Sequence, residues 1–125
     1  MTSNASSVSD DLARTIASWT AQDPDPETRQ QVDDLLSAAN EGNARALAEL
    51  ADAFSSRLEF GTAGLRGELG PGPHRMNRVV VTRAAAGLCA YLTARGGRSV
   101  VVGFDARHKS DVFARDTAEV VTGAG

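Results

Sequence analysis

One stretch of this sequence restricts its fold more than any other. Ser99-Val100-Val101-Val102-Gly103-Phe104 is a short β-branched run with glycines at its borders. Such a run reads as a buried strand of a parallel sheet. Helical patterns lie on both sides of it, and helix–strand–helix is the order of a layered α/β domain. Only one further strand is legible, within residues 58–69. Sheets usually hold about 5–6 strands, and a lone buried strand leaves backbone groups unpaired at about 1–3 kcal/mol each. The chain therefore reads as the opening of a domain whose remaining strands lie outside these 125 residues.

The part before residue 58 has a different character. Residues 1–7 are small and polar and are expected to fray. Val8, Leu12, Ile16 and Trp19 recur at helical spacing, with Asp10 and Asp11 at the positive end of the helix dipole. Asp23-Pro24-Asp25-Pro26 breaks that pattern, and Pro26 suits the first turn of a second helix capped by Asp25. Val32, Leu35, Leu36 and Ala39 form its apolar stripe, and Gly42 is placed to end it. Asn43 can cap a third helix whose face is Leu47, Leu50, Ala51 and Phe54. Residues 1–57 thus read as an α-helical extension with Trp19 as a core contact.

Residues 58–125 read as a second region. Gly61, Gly64, Gly67, Gly70 and Gly72, with Pro71 and Pro73, predict a long loop or a strand broken by loops. Asn77 is placed to cap a helix from about Arg78 to Arg95, with Val81, Ala84, Ala85, Leu88 and Leu92 on one face and Gly96-Gly97 as its stop. Ser110 is placed to cap a last helix carried by Phe113, Thr117, Val120, Val121 and Ala124. Cys89 is expected to be a buried inert thiol, and Arg75 and Arg78 to face solvent.

Charge divides the chain in the same way. Residues 1–55 carry ten acidic and three basic side chains, and residues 56–125 carry six acidic and ten basic ones. The second part suits a small anion, while the formal net charge of −3 argues against a nucleic-acid partner for the whole chain. No apolar run approaches the ~20 residues that span a bilayer. The start lacks the basic and apolar regions of a secretory signal, and one cysteine forms no internal disulfide. A cytoplasmic setting without membrane contact is expected. His74 and His108 lie far apart, so no protein metal site is expected.

Two segments are candidates for chemistry. In Phe60-Gly61-Thr62-Ala63-Gly64-Leu65-Arg66-Gly67, glycines let backbone amides approach a ligand and Arg66 offers a planar donor fork for phosphate or carboxylate. The spacing is neither a P-loop nor a dinucleotide fingerprint; a structural turn with a solvated arginine is the plain alternative. In Gly103-Phe104-Asp105-Ala106-Arg107-His108-Lys109-Ser110, Asp105 and Arg107 can pair to hold a loop past the carboxyl end of the strand. There Ser110 begins an anion-friendly helix; alternatively these residues satisfy only local backbone.

Together these segments resemble the α-D-phosphohexomutase family, which includes phosphoglucomutases and phosphomannomutases. The likeness continues through Gly72-Pro73, Arg75-Met76-Asn77, Ala86-Gly87-Leu88 and Phe113-Ala114. The helical extension with Trp19 and Asp23 is similar to that of the longer subgroup related to phosphopentomutase and glucose-1,6-bisphosphate-handling members. The resemblance implies an α/β fold, an incomplete first α/β/α domain preceded by the extension. It also implies an intramolecular phosphoryl transfer. A phosphoserine gives its phosphoryl group to glucose or mannose 1- or 6-phosphate, and the bisphosphate intermediate returns the other. In the full enzyme a Mg2+ ion bridges the phosphoserine and three aspartates. By this resemblance Arg66 is the catalytic candidate beside the phosphoserine loop, with Gly61, Thr62, Gly64 and Gly67 shaping the approach. Asp105, Arg107 and Ser110 would support the loops. The family's Thr-x-Ser-His-Asn-Pro and Asp-x-Asp-x-Asp-Arg loops do not occur here. The chain alone is therefore expected to be inactive and to contain no metal ligands. The alternative from another class is a non-catalytic remnant that binds a partner protein or a phosphosugar.

Overall fold

The computed structural model describes residues 8–62 and 64–125; the expected fraying of residues 1–7 lies outside the described residues. The described chain is mostly helical with one small two-stranded sheet, as expected of a partial α/β/α domain with a helical extension. It groups into two compact units, one running to Asn77 and one from Arg78 to Gly125.

In the first unit α1 (Asp10–Gln22), α2 (Pro26–Asn40) and α3 (Ala44–Ala53) form a helical group. Their starts follow the local chemistry of the sequence. Ser9 Oγ, Asp25 Oδ1 and Asn43 Oδ1 accept from the amides of Leu12, Glu27 and Ala46, satisfying donors that the first helical turn leaves open. Gly42 takes φ +96° after α2. Its N–H donates to Ala39 O at 3.1 Å and that of Asn43 to Ala38 O at 3.0 Å, a glycine-based C-terminal cap. Ile16, Val32, Ala39 and Leu50 are sealed in the core, and Trp19 meets Phe54 edge to face at 5.6 Å. Asp23 is buried at the α1–α2 corner, where it accepts from the Asp25 amide and the Thr28 hydroxyl. On α3 the buried face is Ala46, Leu50 and Ala53, while Ala51, expected inside, is exposed.

The second unit is a helix pair, α4 (Arg78–Ala94) against α5 (Ser110–Gly123). Gly96, at φ +80°, and Gly97 close α4 as expected; the Gly97 N–H reaches Leu92 O at 2.8 Å. Three expectations are corrected in this unit. Ser99–Phe104 is not a strand: Val101 is 97% exposed and Phe104 67%, and none of the described residues supplies a hydrogen-bonding neighbour. Composition provides β propensity, but a strand also needs a partner ladder. The buried face of α4 is Val79, Ala85 and Cys89, with Leu88 turned outward. Finally, Lys109 at φ +68° precedes α5, without a side-chain cap, and Ser110 is the first helical residue. Its hydroxyl instead donates to Asp105 Oδ1 at 2.9 Å. Cys89 is a buried free thiol.

Candidate functional site

The glycine-rich motif folds into a hairpin. β1 (Phe60–Gly61) pairs antiparallel with β2 (Gly64–Leu65), Phe60 opposite Leu65 and Gly61 opposite Gly64. Gly64 takes φ +100°, which only glycine adopts without strain. Thr62 stands exposed at the turn. Arg66 follows directly and is exposed, and no hydrogen bond or ion pair holds its side chain among the described residues. Gly67 lies beneath Leu58, whose Cδ1 would be 2.8 Å from an added Cβ.

The segment after the hairpin is tightly built. The Leu58 N–H donates to Pro73 O at 3.0 Å and the Met76 N–H to Glu68 O at 2.6 Å, so both ends of the hairpin are tied to residues 73–76. Asn77 Nδ2 donates to Gly70 O at 2.8 Å and Gly72 O at 2.7 Å. The loop also seats on α3. The His74 N–H donates to Ala53 O at 3.0 Å, and Gly72 approaches so closely that a Cβ would lie 2.4 Å from that oxygen.

Arg75 and Arg78 do not simply face solvent. Arg75 is 7% exposed; its Nη2 lies 2.6 Å from Asp52 Oδ2 and 3.1 Å from Glu49 Oε2, and Nη1 donates to His74 O. Burial alone would lower its pKa, but the hydrogen bonds to Asp52 and Glu49 outweigh it and hold the pKa above the ordinary value. Arg78 grips Asp116 with two bonds, Nε to Oδ2 at 2.8 Å and Nη2 to Oδ1 at 2.9 Å. Sequence periodicity missed both pairs because their partners are 26 and 38 residues away.

The second motif lies in the second unit. Asp105 organises it: Oδ1 accepts the Arg107 N–H at 3.0 Å and the Ser110 hydroxyl, and Oδ2 lies 3.2 Å from Arg107 Nε. The Arg107 amide first, then the Ser110 hydroxyl, hold the Asp105 pKa below the ordinary carboxylate value. The geometry makes Asp105 a loop clasp, with its acceptors spent on neighbours. The segment borders a cavity of about 280 Å³ lined by Val102, Phe104, Asp105, Ser110, Phe113 and Thr117 among others.

Among the described residues no group of three or more His, Cys, Asp or Glu could hold a metal ion. No helix among them is long and apolar enough to cross a membrane.

Residues 57–125 match the family model described as phosphoglucomutase/phosphomannomutase, alpha/beta/alpha domain I. The chain belongs to this family. A probable phosphoribomutase of Schizosaccharomyces pombe is 38% identical over 113 residues, covering 87% of this chain and 18% of that protein. A phosphopentomutase of Mus musculus is 37% identical over 100 residues, 77% of this chain and 15% of that protein. A phosphoglucomutase of Staphylococcus haemolyticus is 41% identical over 73 residues, 58% of this chain and 13% of that protein. The chain thus spans under a fifth of the length of these relatives. No solved structure gives a significant match.

Proposed function

We propose that this chain is the amino-terminal part of a phosphohexomutase, and that the whole enzyme moves a phosphoryl group between positions of glucose or mannose phosphate through a bisphosphate. What supports this is the domain I match over the region that carries the Gly61–Gly67 hairpin. In this reading the hairpin presents Arg66 to a phosphoserine supplied by residues outside these 125, and its guanidinium offsets phosphate charge. The Asp105 clasp holds the neighbouring loop and has no direct part in transfer. The magnesium ion that such an enzyme uses is assigned to aspartates elsewhere in the whole protein. Positioning and charge neutralisation, the main work of phosphoryl transfer, are thus shared with segments that follow. By itself the chain is inactive.

A second reading, with a pentose phosphate as substrate, is favoured by one observation. The matches to a phosphoribomutase and a phosphopentomutase cover 87% and 77% of the chain and so reach into the helical extension, whereas that to a phosphoglucomutase covers 58%. The coding sequence downstream of Gly125 tests the proposal: a Thr-x-Ser-His-Asn-Pro loop is expected there, and its absence refutes the assignment. Coupled assays with glucose 1-phosphate and ribose 1-phosphate should show no turnover by the purified 125-residue chain; turnover would overturn its inactivity.

A further inference from the structure

We propose that Glu49 and Asp52, on helix α3 of the acidic extension, are positioning residues for the hairpin that carries Arg66. Both precede residue 57, where the domain I match begins. Their carboxylates lie 3.1 and 2.6 Å from Arg75 Nη2, and the Arg75 side chain is 8% exposed. Arg75 sits in the middle of the segment that ties both ends of the hairpin. Two residues before it, Pro73 O accepts the Leu58 N–H; directly after it, the Met76 N–H donates to Glu68 O, two residues after Arg66. Leu69 and Met76 form a parallel bridge, and the Gly70 N–H returns to Met76 O at 3.1 Å. The hairpin itself has two residues per strand, and Phe60 is 71% exposed. A ribbon so short and so little buried does not hold its own orientation. Its aim is set by the segment beneath it, and that segment is fixed to α3 by the ion pairs of the buried Arg75 side chain with the half-exposed Glu49 and Asp52 carboxylates and by the close seat of Gly72.

The extension is therefore part of the machinery that aims Arg66. This functional consequence rests on the phosphomutase reading, whereas the mechanical link does not.

The test is amide relaxation on the 15N-labelled 125-residue chain. Order parameters are read at Phe60, Leu65 and Arg66, with Ile16 and Val32 as internal references. In the unaltered protein the hairpin values are expected near about 0.85, falling below about 0.6 in the Glu49→Gln/Asp52→Asn double variant while the references hold. The Arg75→Met variant removes the buried charge instead of stranding it, and the same local loss is expected. Unchanged hairpin values in both variants overturn the proposal, as does a hairpin already loose in the unaltered protein. Loss of order throughout the unit in both variants also overturns it, since the cluster would then serve the fold as a whole. No sugar phosphate enters the measurement, so its failure is distinguishable from a failure of the phosphomutase assignment.

Discussion

Gly72 and Gly64 share a backbone conformation, φ +102° and +100°, but not surroundings, so replacing each by alanine separates strain from crowding. A Cβ at position 64 meets nothing within 4 Å. Gly64→Ala is thus expected to cost only the placement of an L residue at positive φ, about 1 kcal/mol. A Cβ at position 72 would lie 2.4 Å from the Ala53 carbonyl oxygen and 2.9 Å from its carbon. These are backbone atoms at the end of α3, and the same oxygen accepts the His74 N–H. Moving the loop away forfeits that bond and the Asn77 bond to the Gly72 carbonyl at 2.7 Å, each contributing about 1 kcal/mol. Gly72→Ala is therefore expected to destabilise the first unit by about 3 kcal/mol, roughly three times the effect at Gly64. Trp19, the chain's single tryptophan, packs on Phe54 in this unit, so urea unfolding followed by its fluorescence reads the unit directly. Equal midpoint shifts for the two variants, or a Gly72→Ala protein as stable as its parent, would refute the reasoning.

Asp116→Ala strips the buried partner from Arg78 and should cost the second unit about 3 kcal/mol by circular dichroism on denaturation; a loss below about 0.5 would mean that the pair is effectively solvated. Phe54→Ala removes the ring against Trp19 and should cost about 3 kcal/mol, with tryptophan emission moving to longer wavelength; unaltered emission counts against the contact. Because the Asp105 pKa is lowered in the folded chain, its contribution to stability is complete above the ordinary aspartate value of about 3.9 and disappears as pH falls through the lowered value. Ser110→Ala should raise that pKa toward the ordinary value without reaching it, since the Arg107 amide still donates; an NMR titration that superimposes on the parent's would remove Ser110 from the clasp.

What the sequence made legible was local chemistry. Asp25-Pro26 and Gly42-Asn43 bound α2 because the caps involve neighbours along the chain. The glycines of the first motif announced a turn, and Gly64 needs its freedom there. What escaped was set by distant partners. The run over α4 is apolar on nearly every side, so its inner face is chosen by α5 and not by periodicity. A charge pattern does not tell a solvated arginine from Arg75, a loop residue paired with carboxylates on α3, or from Arg78. Val100 to Val102 have the composition of a strand, but pairing belongs to two segments, and the second is not among the described residues. Within the site, the Asp105–Arg107 pair followed from spacing, while the Ser110 hydroxyl turned toward that carboxylate instead of capping the helix.

The grip of Arg78 on Asp116 spans 38 positions of the chain and closes a loop that contains residues 99–104. Anchored at both margins, that ribbon has already surrendered much of the wandering an untethered peptide would enjoy. Ordering residues 99–104 into a strand therefore removes less chain freedom than it would in an open chain of the same residues.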